Sequence, residues 1–279
     1  MGFLGRGTIL ASGTKIAIIG LGSMGGALAE GIIKNGVARA CDVSVSNRGK
    51  QENLARISEL GAEVCSSNEE AVRTADAVLL CVKKDDMGAL LSEIGSHLAG
   101  RTVIFVAAGE TISHVESMAS YAGVVSAMAG LEGVKSNLAR SGLCFGKSAS
   151  ERDKRIAEGI FGSFGRVEWI SENGRAAFTA LAASMEAIAA DFADRLSDAA
   201  AKLGICKEYA EELISQAFMA SGAARLAGNQ TALQISSEVA CKGGLADAAK
   251  KRAEELGLGS ISEAIVQAMF FRGKEMEQK

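Results

Sequence analysis

Over the first 170 residues the apolar positions fall into short runs separated by amphipathic stretches. Lys15–Gly20 (KIAIIG) is a β-branched run closed by glycine, which predicts a strand buried on both faces. Ser23–Asn35 has helical spacing and stops at Gly36. The alternation continues with a strand at Asp42–Ser46, a helix at Gln51–Leu60, a short strand at Ala62–Cys65 and a helical turn at Glu69–Thr74. Next come a strand at Ala77–Val82, a helix at Asp86–Leu98, a strand at Thr102–Ala107 and a helix at Ile112–Ser120. Val124–Met128 and Leu143–Phe145 read as two further strands. Strands alternating with helices across short connections predict an α/β domain, a Rossmann-like doubly wound parallel sheet.

From Gly174 onward only helical periodicity remains. Helices are expected at Ala176–Leu203, Lys207–Ala227, Thr231–Cys241, Leu245–Leu256 and Ser260–Glu277. They are Ala-rich, and several are apolar on more than one stripe. Surplus apolar surface of this kind predicts a homodimer through the C-terminal helices, with a higher oligomer left open. The expected division is a dinucleotide-binding domain at 1–170, with 1–14 as an N-terminal extension, and an all-α dimerisation and substrate domain at 171–279.

Composition narrows the function classes. A chain of 279 residues with 48% hydrophobic and 23% charged positions excludes disorder. A net charge of −3 argues against a nucleic-acid partner, which wants a basic field. No uninterrupted apolar run of about 18 residues is visible, so no membrane span is expected. The start, MGFLGR, does not fit a myristoylation pattern, and its apolar part is too short for a secretory leader. Six cysteines with no CxxC pair read as reduced thiols in a cytoplasm. Two histidines leave little for a metal site or a Ser-His-Asp triad, so no metal is expected. The chain has no proline at all, where average usage of about 5% would give roughly 14.

The first chemical motif is Gly20-Leu21-Gly22-Ser23-Met24-Gly25, placed after a buried strand and at the start of a helix. In that context Gly20 permits the turn, Gly22 lets a pyrophosphate approach the backbone, and Gly25 lets helix and strand pack closely. The helix start then offers free N–H groups to phosphates. The end of the second strand reads Ser46-Asn47-Arg48-Gly49-Lys50, without the acid that bonds a ribose 2′-hydroxyl. Arg48 suits a 2′-phosphate, which favours NADPH, with NADH as the alternative. Val82 and Lys83 end one strand, and Ala107, Ala108 and Gly109 end another, where open α/β sheets bind ligands. The small residues at 107–109 leave room for a nicotinamide ring.

From Lys15 to the C-terminus the chain resembles pyrroline-5-carboxylate reductases. The segments that carry the resemblance are KIAIIGLGSMGGALAEGII, the SNR after strand two, Asn68, CVKKDDM, VIFVAAGETI, GRVEWI before FTALAAS, and the long stretch DRLSDAAAKLGICKEYAEELISQAFMASGAARL. SSEVACKGGLADA lies where that family has its substrate loop. The resemblance implies NAD(P)H-dependent reduction of a cyclic imine to proline, with Asn68 on the cofactor. The departures are specific. Lys83-Lys84 stands for KP, Met128-Ala129-Gly130-Leu131-Glu132 for MPNTP, Ala182-Ala183-Ser184-Met185-Glu186-Ala187-Ile188 for SGSGPAY, and Cys241-Lys242-Gly243-Gly244-Leu245-Ala246 for SPGGTT. Every motif proline is gone, and so are the Asn of the first loop and the paired Thr of the last.

Within these altered loops the candidate catalytic residues are Ser184, Lys242 and Glu186. Ser184 is the polar residue kept in its motif. Lys242 offers a cation to a small imino-acid carboxylate, and Glu186 offers a proton; a solvated helix face for Glu186 and an exposed loop for Lys242 are the plain alternatives. The N–H groups of Gly243 and Gly244 are expected to take that carboxylate. Three functions stay open: proline formation from pyrroline-5-carboxylate, reduction of another imine or carbonyl by a diverged paralogue, and a non-catalytic NADP-binding dimer.

Overall fold

The protein is described here by a computed structural model covering residues 10–49, 51–228 and 230–278. Of the expected N-terminal extension, only Leu10–Thr14 falls among the described residues, and Lys50 lies outside them. The sheet has eight strands: β1 Ile16–Ile19, β2 Val43–Ser46, β3 Glu63–Val64, β4 Ala77–Leu80, β5 Thr102–Phe105, β6 Gly123–Met128, β7 Ala139–Phe145 and β8 Gly165–Trp169. Their spatial order is β3-β2-β1-β4-β5-β6-β7-β8. The first six run parallel; β7 is antiparallel to β6, and β8 runs parallel to β7. Seven helices accompany the strands: α1 Ser23–Lys34, α2 Gln51–Glu59, α3 Asn68–Val72, α4 Lys84–Ile94, α5 Ile112–Met118, α6 Leu131–Ser136 and α7 Glu151–Gly162.

The sequence of β1 explains its central place. Ile16 and Ile18 enter one core layer, with Leu28, Ile32 and Phe161, while Ala17 and Ile19 enter the opposite layer, with Val78, Leu90 and Phe105. Both faces are covered, so the run is apolar throughout rather than alternating. The expected doubly wound α/β fold is present, with the last two strands reversed. Three elements go beyond the sequence expectation. Helix α7 is amphipathic and starts from Ser150, which forms a reciprocal capping box with Asp153. Helix α6 starts after Gly130, where the replaced MPNTP stretch has lost its prolines. Strand β8 is partly solvated, its Glu168 paired with Arg140 on β7 at 2.8 Å, which hides it from an apolar-run search.

After β8 a short turn at Glu172–Gly174 leads into α8, Arg175–Phe178, then a single wide π turn at Thr179–Ser184, then α9, Met185–Ala201. Helices α10 Lys207–Leu226, α11 Ala232–Val239, α12 Leu245–Glu255 and α13 Leu258–Gln278 complete the chain. By packing, one compact unit runs to Ser184 and includes the stretch from Met269, and a second comprises Met185–Ala268. The 170/171 position read from the sequence is where strands give way to helices; the compact units part later, at Ser184, inside a continuous helix.

The expectation of no membrane span meets one helix that passes on length and composition alone. Glu172–Ala201 is long and apolar enough to cross a bilayer by length and composition alone, a test that the core helix of a soluble protein passes as well. Alanines interspersed with single polar residues meet that test without an uninterrupted apolar run. Within the second unit, α9 and α10 form a hairpin in which Phe192 stacks on Phe218 and Lys207 bridges Asp194 and Asp198 at 2.8 and 2.6 Å. Among the described residues of that unit only Ala193, Ser197 and Ala210 are buried.

Candidate active site

The glycine loop joins β1 to α1 with a division of labour among its glycines. Gly20 has φ +90°, and its N–H donates to the Ser46 carbonyl at 2.9 Å, tying the loop to β2. Gly25 is buried so tightly that a Cβ there would lie 1.9 Å from the Gly20 carbonyl oxygen and 2.9 Å from the Cys81 Cβ. Gly22 is the opposite case: a Cβ there would meet no atom within 4 Å. Gly22 is the N-cap of α1 with no side-chain cap, and the first helical bond runs from the Gly26 N–H to the Gly22 carbonyl at 2.9 Å. The N–H groups of Ser23, Met24 and Gly25 therefore have no helical acceptor. A bare backbone shelf at a helix N-terminus fits a dinucleotide pyrophosphate. Beneath the loop, burial pushes the Cys81 thiol up to about 12, so it stays protonated.

Asn47 follows β2 and accepts from the Leu21 N–H at 3.1 Å, which fixes the far side of the glycine loop. Ser46 donates to the side chain of buried Asn68 at 2.9 Å. Asn68 in turn donates to both oxygens of Glu93, each at 3.1 Å, and Arg48 pairs with the same carboxylate. The end of β2 lacks an acid of its own, yet α4 delivers one to it. Glu93 is a residue that the strand-end motif could not reveal, because it lies 45 positions from Arg48.

The ends of β4 and β5 form the second part of the site. Lys83 is the exposed N-cap of α4, and Val82 packs beneath Gly20. Its neighbour Lys84 turns inward, donating to the Gly109 carbonyl at 2.6 Å and the Met276 carbonyl at 2.8 Å. Ala107 is buried, Ala108 is exposed, and Gly109 has φ +77°. The room expected beside Gly109 is taken by α13: a Cβ on Gly109 would lie 2.7 Å from the Met276 carbonyl oxygen. Ala108 and Gly109 instead border a cavity of about 210 Å³, whose wall also holds Met128, Arg175, Thr179 and Ser184. Ser184, the last residue of the π turn, lines this cavity with Ala108 and Gly109.

The remaining candidates belong to the helical unit. Glu186 is half-buried in the first turn of α9, and Lys242 is exposed. The role expected of the Gly243 and Gly244 amides needs correction. Gly243, at φ +78°, donates to the Asp247 carboxylate at 2.9 Å, and Gly244 donates to the Cys241 carbonyl at 2.9 Å. Both donors are already satisfied inside their own turn. Lys251 and the Gly243 N–H hold the Asp247 carboxyl below its ordinary range. Leu245, in the place of a hydroxyl residue, is 94% exposed.

Residues 15–109 match the family model described as NADP oxidoreductase coenzyme F420-dependent, and residues 172–276 match that of pyrroline-5-carboxylate reductase dimerisation. Together with the bare glycine shelf, these matches define a nicotinamide-dependent oxidoreductase carrying a dimerisation module. Pyrroline-5-carboxylate reductase 2 of Pongo abelii is 30% identical over 271 residues, covering 94% of this chain and 84% of that protein. Among solved structures, Plasmodium falciparum pyrroline carboxylate reductase with NADP bound superposes with a TM-score of 0.86 at 25% identity, over 95% of this chain and 98% of that one. That of Coxiella burnetii does so with a TM-score of 0.85 at 26% identity, over 96% and 100%. The chain belongs to the pyrroline-5-carboxylate reductase family.

Proposed function

We propose that the protein reduces a cyclic imine with NADPH, and that the imine is 1-pyrroline-5-carboxylate, giving proline. The observation that carries this reading is the small cavity in which Ser184 meets Ala108 and Gly109 at the end of β5. When bound, the reduced nicotinamide would supply the hydride. The Gly20–Gly25 loop with Ser23 and Met24 holds the pyrophosphate, Asn47, Arg48 and Asn68 hold the adenosine end, and Val82, Lys83 and Ala107–Gly109 line the nicotinamide end. Ser184 hydrogen-bonds the substrate; Lys242 stays the candidate cation and Glu186 the candidate proton donor. The active form is a homodimer, which the family's dimerisation module supports. Six free thiols support a reducing compartment such as the cytoplasm.

Mixing the protein with NADPH and 1-pyrroline-5-carboxylate should give cofactor oxidation matched by proline formation. No oxidation above background removes the substrate assignment. The exposed Leu245 and the self-satisfied turn at Gly243–Gly244 favour a second reading, a related imine outside proline synthesis. A panel of cyclic imines tests it, and a substrate turned over faster than 1-pyrroline-5-carboxylate decides for it.

Cofactor preference follows from the Arg48–Glu93 pair. Arg48→Ala should weaken NADPH binding by about tenfold, the low end for a charge-assisted bond because the group is largely exposed, and leave NADH nearly unaffected. Glu93→Gln removes a negative charge beside the 2′-phosphate and should raise the NADPH-to-NADH affinity ratio. Fluorescence titration with both cofactors measures the ratio; equal losses for NADPH and NADH in Arg48→Ala would place the 2′-phosphate elsewhere.

A further inference from the structure

Arg175 opens α8 and is 3% exposed, the one buried arginine among the described residues. Its Nη2 donates to the Glu110 carbonyl at 2.6 Å, and its guanidinium carbon lies 5.6 Å from the centre of the Phe105 ring. Its Nε has no hydrogen-bond partner. Among the described residues no carboxylate pairs with it. Exposed arginines such as Arg48, Arg140 and Arg195 each meet a carboxylate with half or more of the side chain in solvent, and Arg101, which bonds only backbone carbonyls, is part-exposed, whereas Arg175 is buried. A guanidinium taken out of water without a counter-charge is strongly unfavourable. Such a group persists where an anion completes it.

The same side chain forms part of the wall of the 210 Å³ cavity, beside Ala108, Gly109, Thr179 and Ser184. That volume is below the roughly 300 Å³ at which drug-sized sites begin, so it suits a small ligand. The planar guanidinium fork matches a carboxylate. The cofactor's phosphates have their own shelf at Gly22. We infer that Arg175 binds the carboxylate of the substrate and makes the cavity selective for imines that carry one. This rests on the reading of the cavity as the imine site, and it assigns to Arg175 the function expected of the Gly243 and Gly244 amides.

The test compares the full-length protein with Arg175→Met and Arg175→Lys, each saturated with NADP⁺. The probes are tetrahydrofuran-2-carboxylate and uncharged tetrahydrofuran, followed by calorimetry. Arg175→Met should weaken the carboxylate by about 10- to 100-fold, with Arg175→Lys between it and the parent. NADP⁺ affinity should stay within about twofold in both, which separates a substrate carboxylate from a cofactor phosphate as the bound anion. The melting temperature of Arg175→Met should hold or rise, because the substitution removes an uncompensated buried charge. In turnover, KM for 1-pyrroline-5-carboxylate should rise by the same factor while uncharged 1-pyrroline is unaffected. If Arg175→Met does not fold, Arg175→Lys carries the comparison. Retained carboxylate binding in Arg175→Met, equal losses for charged and uncharged imines, or a parent that ignores the carboxylate probe overturns the inference. The two readings fail separately. A parent that binds the probe through Arg175 but reduces no 1-pyrroline-5-carboxylate loses the proposed substrate alone. Reduction with unchanged KM in Arg175→Met removes Arg175 alone.

Discussion

Gly22→Val is expected to abolish dinucleotide binding while the chain stays folded, whereas Gly25→Ala, three residues on, is expected to damage the fold itself. The two glycines share a motif and differ in what surrounds them. A side chain at Gly22 meets no atom within 4 Å, and φ of −69° is open to any residue, so the folded chain tolerates it. Losing glycine at an N-cap costs no more than about 1 kcal/mol. The branched side chain then stands on the shelf where the pyrophosphate meets the N–H groups of α1. Several charge-assisted bonds of about 1.5–3 kcal/mol each are lost together, so affinity should fall at least 100-fold. At Gly25 the added methyl lies 1.9 Å from the Gly20 carbonyl oxygen, inside any real contact distance. Helix α1 must move off β1 and β4, at a cost of at least about 1–3 kcal/mol for the overpacking alone. Thermal melting and NADPH titration on both variants separate the cases. Full NADPH affinity in Gly22→Val would show that the cofactor does not cross this loop.

This contrast shows what the sequence made legible. Strand β1, the glycine loop and α1 follow from local pattern, because the backbone there needs particular residues: Gly20 for a positive φ, Gly25 for contact. The helical unit follows from an unbroken helical period. Less legible were contacts between residues far apart in the chain. Arg175 belongs to no motif that the sequence analysis singled out; its guanidinium is held by the Glu110 carbonyl, 65 positions away. Glu93 reaches Arg48 and Asn68 from another element, so a search for an acid at the end of β2 could not find it. The absent prolines changed the loops in ways that local reading could only outline. With Met185-Glu186 in place of the family's Gly-Pro, the helix from Glu172 runs on to Ala201, but a π turn at Thr179–Ser184 keeps a local irregularity beside the cavity.

Leu213→Glu combined with Leu226→Glu is expected to turn a stable dimer into a monomer. The helical unit has almost no interior of its own, since Ala193, Ser197 and Ala210 are its only buried residues among those described. Against that stand Leu196, Leu203, Tyr209, Leu213, Met219 and Leu226 on α9, α10 and the turn that joins them, all exposed. A single chain with so much uncovered apolar surface is the signature of an association face. Burying one leucine is worth about 1.5–3 kcal/mol, and in a two-fold dimer each substitution acts in both copies. Two such changes, each also bringing a carboxylate into an apolar contact, should raise the dissociation constant by more than about 1000-fold. Sedimentation velocity over a dilution series reads this directly. The parent's melting temperature should also rise with protein concentration, and that dependence should vanish in the double variant. A charge change on the polar side of the same hairpin, Asp194→Asn, should leave the association constant nearly unchanged, because Asp194 serves Lys207 within one chain. A parent that sediments as a monomer, or a double variant that dimerises as well as the parent, would move the interface away from α10.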